Sequence, residues 1–305
     1  VYRYLVTDDI WAYQRDNYGY KNMRSNPLMI NIAGIPYIDS RVSFNSFIPN
    51  NIDEDLSSRL VDYYLDRLEK NPFQHDKIEF SIVYSANSFD LDIRLKELLC
   101  NGFSEEDISI IEKELILLTN KIIDTEGGLW VQDIEKIKVL EKRHEMIMNS
   151  NLDDISKIYW LLEDCCRYGT LPFAGLARAG FIAVQMLKSL VSVGILTQKE
   201  YDLYLKSVNT VSKQLARDRN DLSKEDFIKK YGHLRPGTYD ITMDRYDKNP
   251  VKYFEDTSVK KRAKREEKDF SLSLSQYRDI EILMKKRGFD KTVLELFEFI
   301  REAIE

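Results

Sequence analysis

From about residue 91 to the end of the chain, apolar residues recur every three or four positions, and the runs are punctuated by capping residues and glycines. That pattern commits most of the chain to helices packed on one another. Ser104-Glu-Glu-Asp107 reads as a capping box opening a helix whose stripe is Ile108, Ile111, Leu115, Leu118 and Ile122. Gly127-Gly128 breaks it, and Val131 to Met148 supplies an antiparallel return. Ile155 to Tyr168 is expected as a helix closed by Gly169, followed by a turn over Thr170 to Pro172. Phe173 to Val193 is the most apolar helix and should stop at Gly194. Thr197-Gln-Lys-Glu200 opens a helix expected to reach about Arg217, and two amphipathic helices follow over Ser273 to Lys286 and Lys291 to Glu305.

The first 90 residues read differently. Met29 to Ile32 and Tyr37 to Phe47 are expected as strands joined through Ala33-Gly34, the second placing Arg41 and Asn45 on a polar face. Asp53 to Lys70 has helical spacing, ended by Asn71-Pro72, and the alternation over Lys77 to Ser85 predicts a third strand. The expected class is therefore α+β, predominantly α-helical: a multi-helix domain with a small antiparallel or mixed sheet near the N-terminus. Residues 1–90 form a small mixed region, and residues 91–305 form one compact helical unit. The chain does not begin with methionine and ends inside a helical run, so a piece of a longer multidomain chain is expected.

Of the 305 residues 43% are hydrophobic, enough for a core, and the net charge of −6 disfavours a general nucleic-acid binder. The basic run Lys260 to Arg265 is flanked by acids and lacks interleaved aromatics, so it reads as a solvated face. Three cysteines without zinc spacing fit a reducing, cytoplasmic setting. Three histidines without clustered partners predict no metal site, and His75 and His144 read as surface residues. Arg178, Gln185 and Lys188 interrupt the apolar run from Leu171 to Leu196, which argues for a buried helix and against a membrane span. Arg178 and Gln185 are seven apart and share a helix face; Arg178 must reach solvent, pair with a carboxylate such as Asp164, or face a polar cavity. Gly175, Ala179 and Ala183 lie four apart and permit close helix packing.

The densest chemistry lies in Tyr231-Gly-His-Leu-Arg-Pro-Gly-Thr-Tyr-Asp240. Ser223-Lys-Glu-Asp226 opens a short helix, Gly232 suits a left-handed C-cap, and Pro236-Gly237 makes a tight turn, so His233 and Arg235 leave a helix end on constrained backbone. A histidine so placed can cap carbonyls or act on a ligand, and both readings stand at this point.

This segment resembles the Tyr-Gly-His-Arg-Gly-Pro-Gly-Glu-x-Asp motif of the phosphoenolpyruvate synthase and rifampicin phosphotransferase superfamily, with Tyr231, Gly232, His233, Pro236, Gly237 and Asp240 matching. Leu234, Arg235 and Thr238 replace an Arg, a Gly and a Glu of that motif. The stretches Gly34 to Pro49 and Tyr168 to Arg178 are similar to segments of a phosphoenolpyruvate synthase-like subgroup. The resemblance implies the acceptor-side helical domain of an ATP-dependent, phosphohistidine-mediated phosphotransferase. His233 and Arg235 would be catalytic, and Arg41, Asn45, Arg178, Gln185 and Asp240 would bind a small-molecule acceptor. It also implies that ATP and Mg belong to the full-length enzyme and that this piece binds neither. The partners would be the ATP-grasp and phosphohistidine domains of the same protein, with no nucleic acid or membrane. The alternative is a helical spacer or docking module between those domains.

Overall fold

The computed structural model describes residues 3–235, 242–250 and 270–305. The chain is predominantly α-helical with one small antiparallel sheet, as the sequence predicts. A π-helical turn over Arg3–Thr7 leads into α1 (Ile10–Asn17). The sheet is a hairpin of β1 (Met29–Ile32) and β2 (Ile35–Ile38), in register Met29 with Ile38, Ile30 with Tyr37, Asn31 with Pro36 and Ile32 with Ile35. Both turn residues are left-handed, Ala33 at φ 52° and Gly34 at φ 84°, as a two-residue turn matched to strand twist requires.

β2 ends sooner than the alternation suggests. Asp39 accepts a hydrogen bond from Val42 N and caps α2 (Ser40–Asn45), so Arg41 and Asn45 stand on a helix and not on a strand face. The local cap satisfies backbone donors that a lengthened strand would leave without a partner on an open edge. Next come α3 (Glu54–Lys70), capped by Asp53, and a 3-10 turn over Pro72–Gln74. The third strand expected over Lys77 to Ser85 is absent; those residues form α4 (Ile78–Ser81) and an irregular run, with no neighbouring strand to pair. Burial decides the segment: Ile82, Val83 and Tyr84 are all buried in succession, which alternation cannot describe.

Among the described residues, the helices after residue 90 begin with α5 (Leu91–Leu99), α6 (Glu105–Ile123) and α7 (Leu129–Met148). They continue with α8 (Asp154–Asp164), α9 (Leu171–Ser192), α10 (Gln198–Ser207), α11 (Val211–Asp221) and α12 (Lys224–Tyr231). The last two are α13 (Leu274–Lys286) and α14 (Val293–Ile304). The capping box at Ser104 and Asp107 is formed as predicted. Two breaks fall elsewhere. A π-helical turn over Cys165–Thr170 joins α8 to α9, so Gly169 does not close a helix and Pro172 follows the wide turn inside a continuous helical run. The helix expected to run to Arg217 is cut at Ser207, and Thr210 caps α11.

Contacts divide the chain into Val1–Tyr201 with Ser271–Ile304, and Asp202–Phe270 with Glu305. One apolar cluster runs from Phe44 and Leu60 through Tyr84 and Leu95 to Leu115 within the first unit. Within the first unit α9 is central, packed by α1, α7 and α14, and Ala179, Ile182, Ala183 and Leu187 are fully buried along it. By length and composition the continuous run Asp154–Ser192 would also suit a membrane span, and 44% of its most apolar window is buried inside protein.

Gly175 shows how close α9 lies to its neighbours. A Cβ there would fall 1.9 Å from Asp133 Oδ2 and 2.5 Å from Tyr18 Oη, the two groups that hydrogen-bond each other at 2.7 Å. Gly175→Ala is expected to cost about 1–3 kcal/mol through overpacking, despite alanine's better helix propensity, and urea unfolding measures it.

Candidate functional site

The predicted residues fall into two groups, one in each compact unit. In the first unit Arg178 is 3% exposed on the most apolar helix. An unpaired guanidinium there would be prohibitive, and this one is fully engaged. Nε donates to Tyr20 Oη at 3.0 Å, Nη2 donates to Ser85 Oγ at 2.6 Å and to Ser85 O at 3.3 Å, and Nη1 pairs with Glu79. Glu79 also pairs with Arg15 at 3.2 Å, and Arg15 lies 4.0 Å over the Phe47 ring. Tyr20 Oη in turn donates to Ser85 O at 2.7 Å. Burial by itself would raise the Glu79 pKa; Arg178 and Arg15 outweigh it and hold the carboxyl below its ordinary range.

The carboxylate that meets Arg178 is Glu79 and not Asp164, which lies 2.8 Å from Arg143. Sequence reasoning missed Glu79, Arg15, Tyr20 and Ser85 because Glu79 and Ser85 were placed on an alternating strand. Gln185 and Arg178 do share a face, and both line a cavity with Arg94, Phe181, Glu79 and Phe80. The cavity volume is about 10 Å³, room for one water. Arg41 and Asn45 do not line it. Arg41 donates to Asp62 Oδ1 at 2.8 Å with both side chains more than half exposed, a pair that contributes little, and Asn45 Nδ2 donates to Arg41 O at 3.0 Å.

The second group is built on α11 and α12. Tyr231, the last residue of α12, donates its hydroxyl to Asp218 Oδ2 at 2.7 Å. Lys230 Nζ reaches the same oxygen at 2.7 Å, and Gln214 Nε2 donates to Oδ1 at 2.6 Å. The bond from Lys230, then that from Tyr231, pulls the Asp218 pKa down to about 2. Gly232 is not left-handed, with φ at −57°. Its need is space: a Cβ would lie 2.3 Å from Ile228 O and 2.9 Å from Asp247 Cβ. Backbone bonds then fix the chain on both sides of the histidine. Leu234 N donates to Tyr231 O at 2.9 Å, Tyr246 N to Leu234 O at 2.9 Å and Asp247 N to Gly232 O at 3.0 Å.

His233 and Arg235 are exposed on this fixed backbone. Pro236, Gly237 and Asp240 lie outside the described residues, as do Thr238 and the basic run from Lys260. Asp218 could have been marked in the sequence, since an aspartate in the last turn of a helix opposes the macrodipole and needs a compensating partner. Among the described residues no cluster of His, Cys, Asp or Glu is arranged to hold a metal ion. Chemically, the second group offers an accessible imidazole with a guanidinium two residues away, whereas Arg178 is committed to structure.

Arg178→Met is expected to destabilise the fold by about 1–3 kcal/mol, because the buried Ser85 hydroxyl and Tyr20 lose their donor while Glu79 keeps Arg15 as its remaining cation. The Glu79 pKa is lowered by folding, so its contribution is present above the unfolded carboxylate range, about 4.3, and is lost as pH falls through the folded value. Unfolding free energy measured from neutral pH into acid should fall less steeply in Glu79→Gln than in wild type. Comparison of the chain with family models, with curated proteins and with solved structures returns no match.

Proposed function

We propose that the chain is the acceptor-binding part of an ATP-dependent phosphotransferase that works through a phosphohistidine carried on another domain. The observation that carries this reading is the Tyr231-Gly232-His233 segment, whose backbone is fixed by Asp218, Leu234, Tyr246 and Asp247 while the imidazole of His233 and the guanidinium of Arg235 stay exposed. A fixed backbone under exposed side chains is what positioning catalysis needs, since a misplacement of one ångström is costly. In this reading His233 orients the acceptor hydroxyl or takes its proton, and Arg235 balances charge on the transferring phosphoryl group. ATP and Mg are handled elsewhere in the enzyme, and Asp240 would add an acceptor contact. Arg178 and Gln185, expected from the sequence to bind the acceptor, line a cavity with room for one water, and Arg178 serves the fold.

A second reading, a docking module without a small-molecule site, is favoured by two observations. Arg178 is fully paired within the protein, and α8 carries an exposed apolar face of Ile155, Ile158 and Tyr159. Such a face is the kind of surface other domains cover.

The experiment combines this chain with the ATP-grasp and phosphohistidine domains of a phosphoenolpyruvate synthase-like enzyme, ATP and Mg, and follows ATP consumption with pyruvate and other acceptors. Turnover should fall about 10²–10⁴-fold in His233→Ala, the range for a lost general base, and also in Arg235→Ala. Undiminished turnover in both variants removes the site. The docking reading predicts no acceptor-dependent turnover and no rise in melting temperature with phosphate or pyruvate, since only a ligand bound to the folded state raises it.

A further inference from the structure

The hairpin β1–β2 does not serve the reading above and carries its own. Residues 28–38 contain no charged side chain in a chain that is 31% charged. The register places Ile30, Ile32, Ile35 and Tyr37 on one face, and they are 38%, 56%, 56% and 47% exposed. An isolated two-stranded ribbon is marginally stable in water, and an uncovered apolar one is a template for pairing.

The two outer edges of this ribbon are chemically different. Asp39 N donates to Leu28 O at 2.9 Å, which fixes the phase of the ladder. The exchanging pairs are then Leu28 with Asp39, Ile30 with Tyr37 and Ile32 with Ile35. Met29 and Asn31 of β1, and Pro36 and Ile38 of β2, turn their backbone groups outward. Pro36 has no N–H, so the β2 edge is blunted at its centre, the usual guard against strand addition. The β1 edge keeps both donors and both acceptors, and among the described residues no backbone group bonds to them.

We infer that the β1 edge is a self-association site, occupied by β1 of a second copy of this chain. Antiparallel pairing across a two-fold axis at Ile30 sets Met29 opposite Asn31 of the other copy, and the reverse, which matches every outward donor and acceptor on both edges. The apolar faces of the two hairpins then fall on the same side of a four-stranded sheet. Both new outer edges are Pro36 strands, so the assembly closes as a dimer and does not grow. Two short strands bury a few hundred Å² per copy, below the roughly 800 Å² per partner of a standard stable interface, so the dimer is weak and concentration-dependent.

Sedimentation velocity over a dilution series tests this. Wild type should shift from monomer toward dimer with concentration. Ile30→Lys and Ile30→Glu, each an exposed-face change that leaves the inner ladder intact, should be monomeric alone because like charges meet at the axis. Their equimolar mixture should recover the dimer, because residue 30 faces itself. Pro36→Val should restore the missing donor and yield species larger than a dimer. A wild type that stays monomeric throughout overturns the inference, as does dimerisation unchanged in both charged variants. Cosedimentation of monomeric wild type with anionic lipid vesicles would assign the hairpin to a membrane surface and overturn it equally.

Discussion

Most of the first unit is arranged around one requirement, that the guanidinium of Arg178 be neutralised inside an apolar helix. Tyr20, Glu79 and Ser85 meet it, and they come from the loop after α1, from α4 and from the run that follows α4. Two stretches distant in sequence, around Tyr20 and around residues 79–85, are thereby fixed against α9. Arg15, stacked on Phe47, adds a second cation to Glu79 and ties α1 into the same cluster. Buried ion pairs contribute less to net stability than their Coulomb attraction suggests, but they penalise every arrangement that leaves one partner alone. Here that selectivity favours the path of residues 79–85, a turn of helix followed by a buried irregular run, over pairing as a strand.

The helical part of the fold was legible because long periodic stripes and capping boxes report on local physics. Ser104 with Asp107 and Asp53 before α3 are local signals, and each marks a helix start correctly. The misreadings share a cause. The Ile78 to Tyr84 alternation mimics a strand, but strands need a neighbour, and burial on every side replaced pairing. Asp39 is a cap that the alternation of Ile38, Val42 and Phe44 concealed. Gly169 looked like a stop because glycine usually is one; a π-helical turn let the backbone continue instead.

The candidate site was legible in its composition and not in its supports. The run Tyr231 to Arg235 stands out by residue type alone. The groups that hold it, Asp218, Tyr246 and Asp247, lie elsewhere in the sequence and become visible only through distances. Gly232 was marked as special for a reason of backbone handedness, whereas close approach to Ile228 O and Asp247 accounts for it. Arg178 was recognised as anomalous on chemical grounds, and its true partner depended on the path of residues that sequence reading had misassigned.

The π-helical turn between α8 and α9 sets a phase relation along one continuous rod. An α-helix advances about 100° per residue and the wider π turn advances less, so the extra residue in Cys165–Thr170 is absorbed by the turn and the segments on either side keep the phase of one regular helix. A residue added to the regular winding of α8 has no such outlet and would swing the flank of Ile155 and Ile158 by about 100° relative to Arg178. The wide turn thus works as a spacer that takes up chain length without rotating the outer surface against the inner charge.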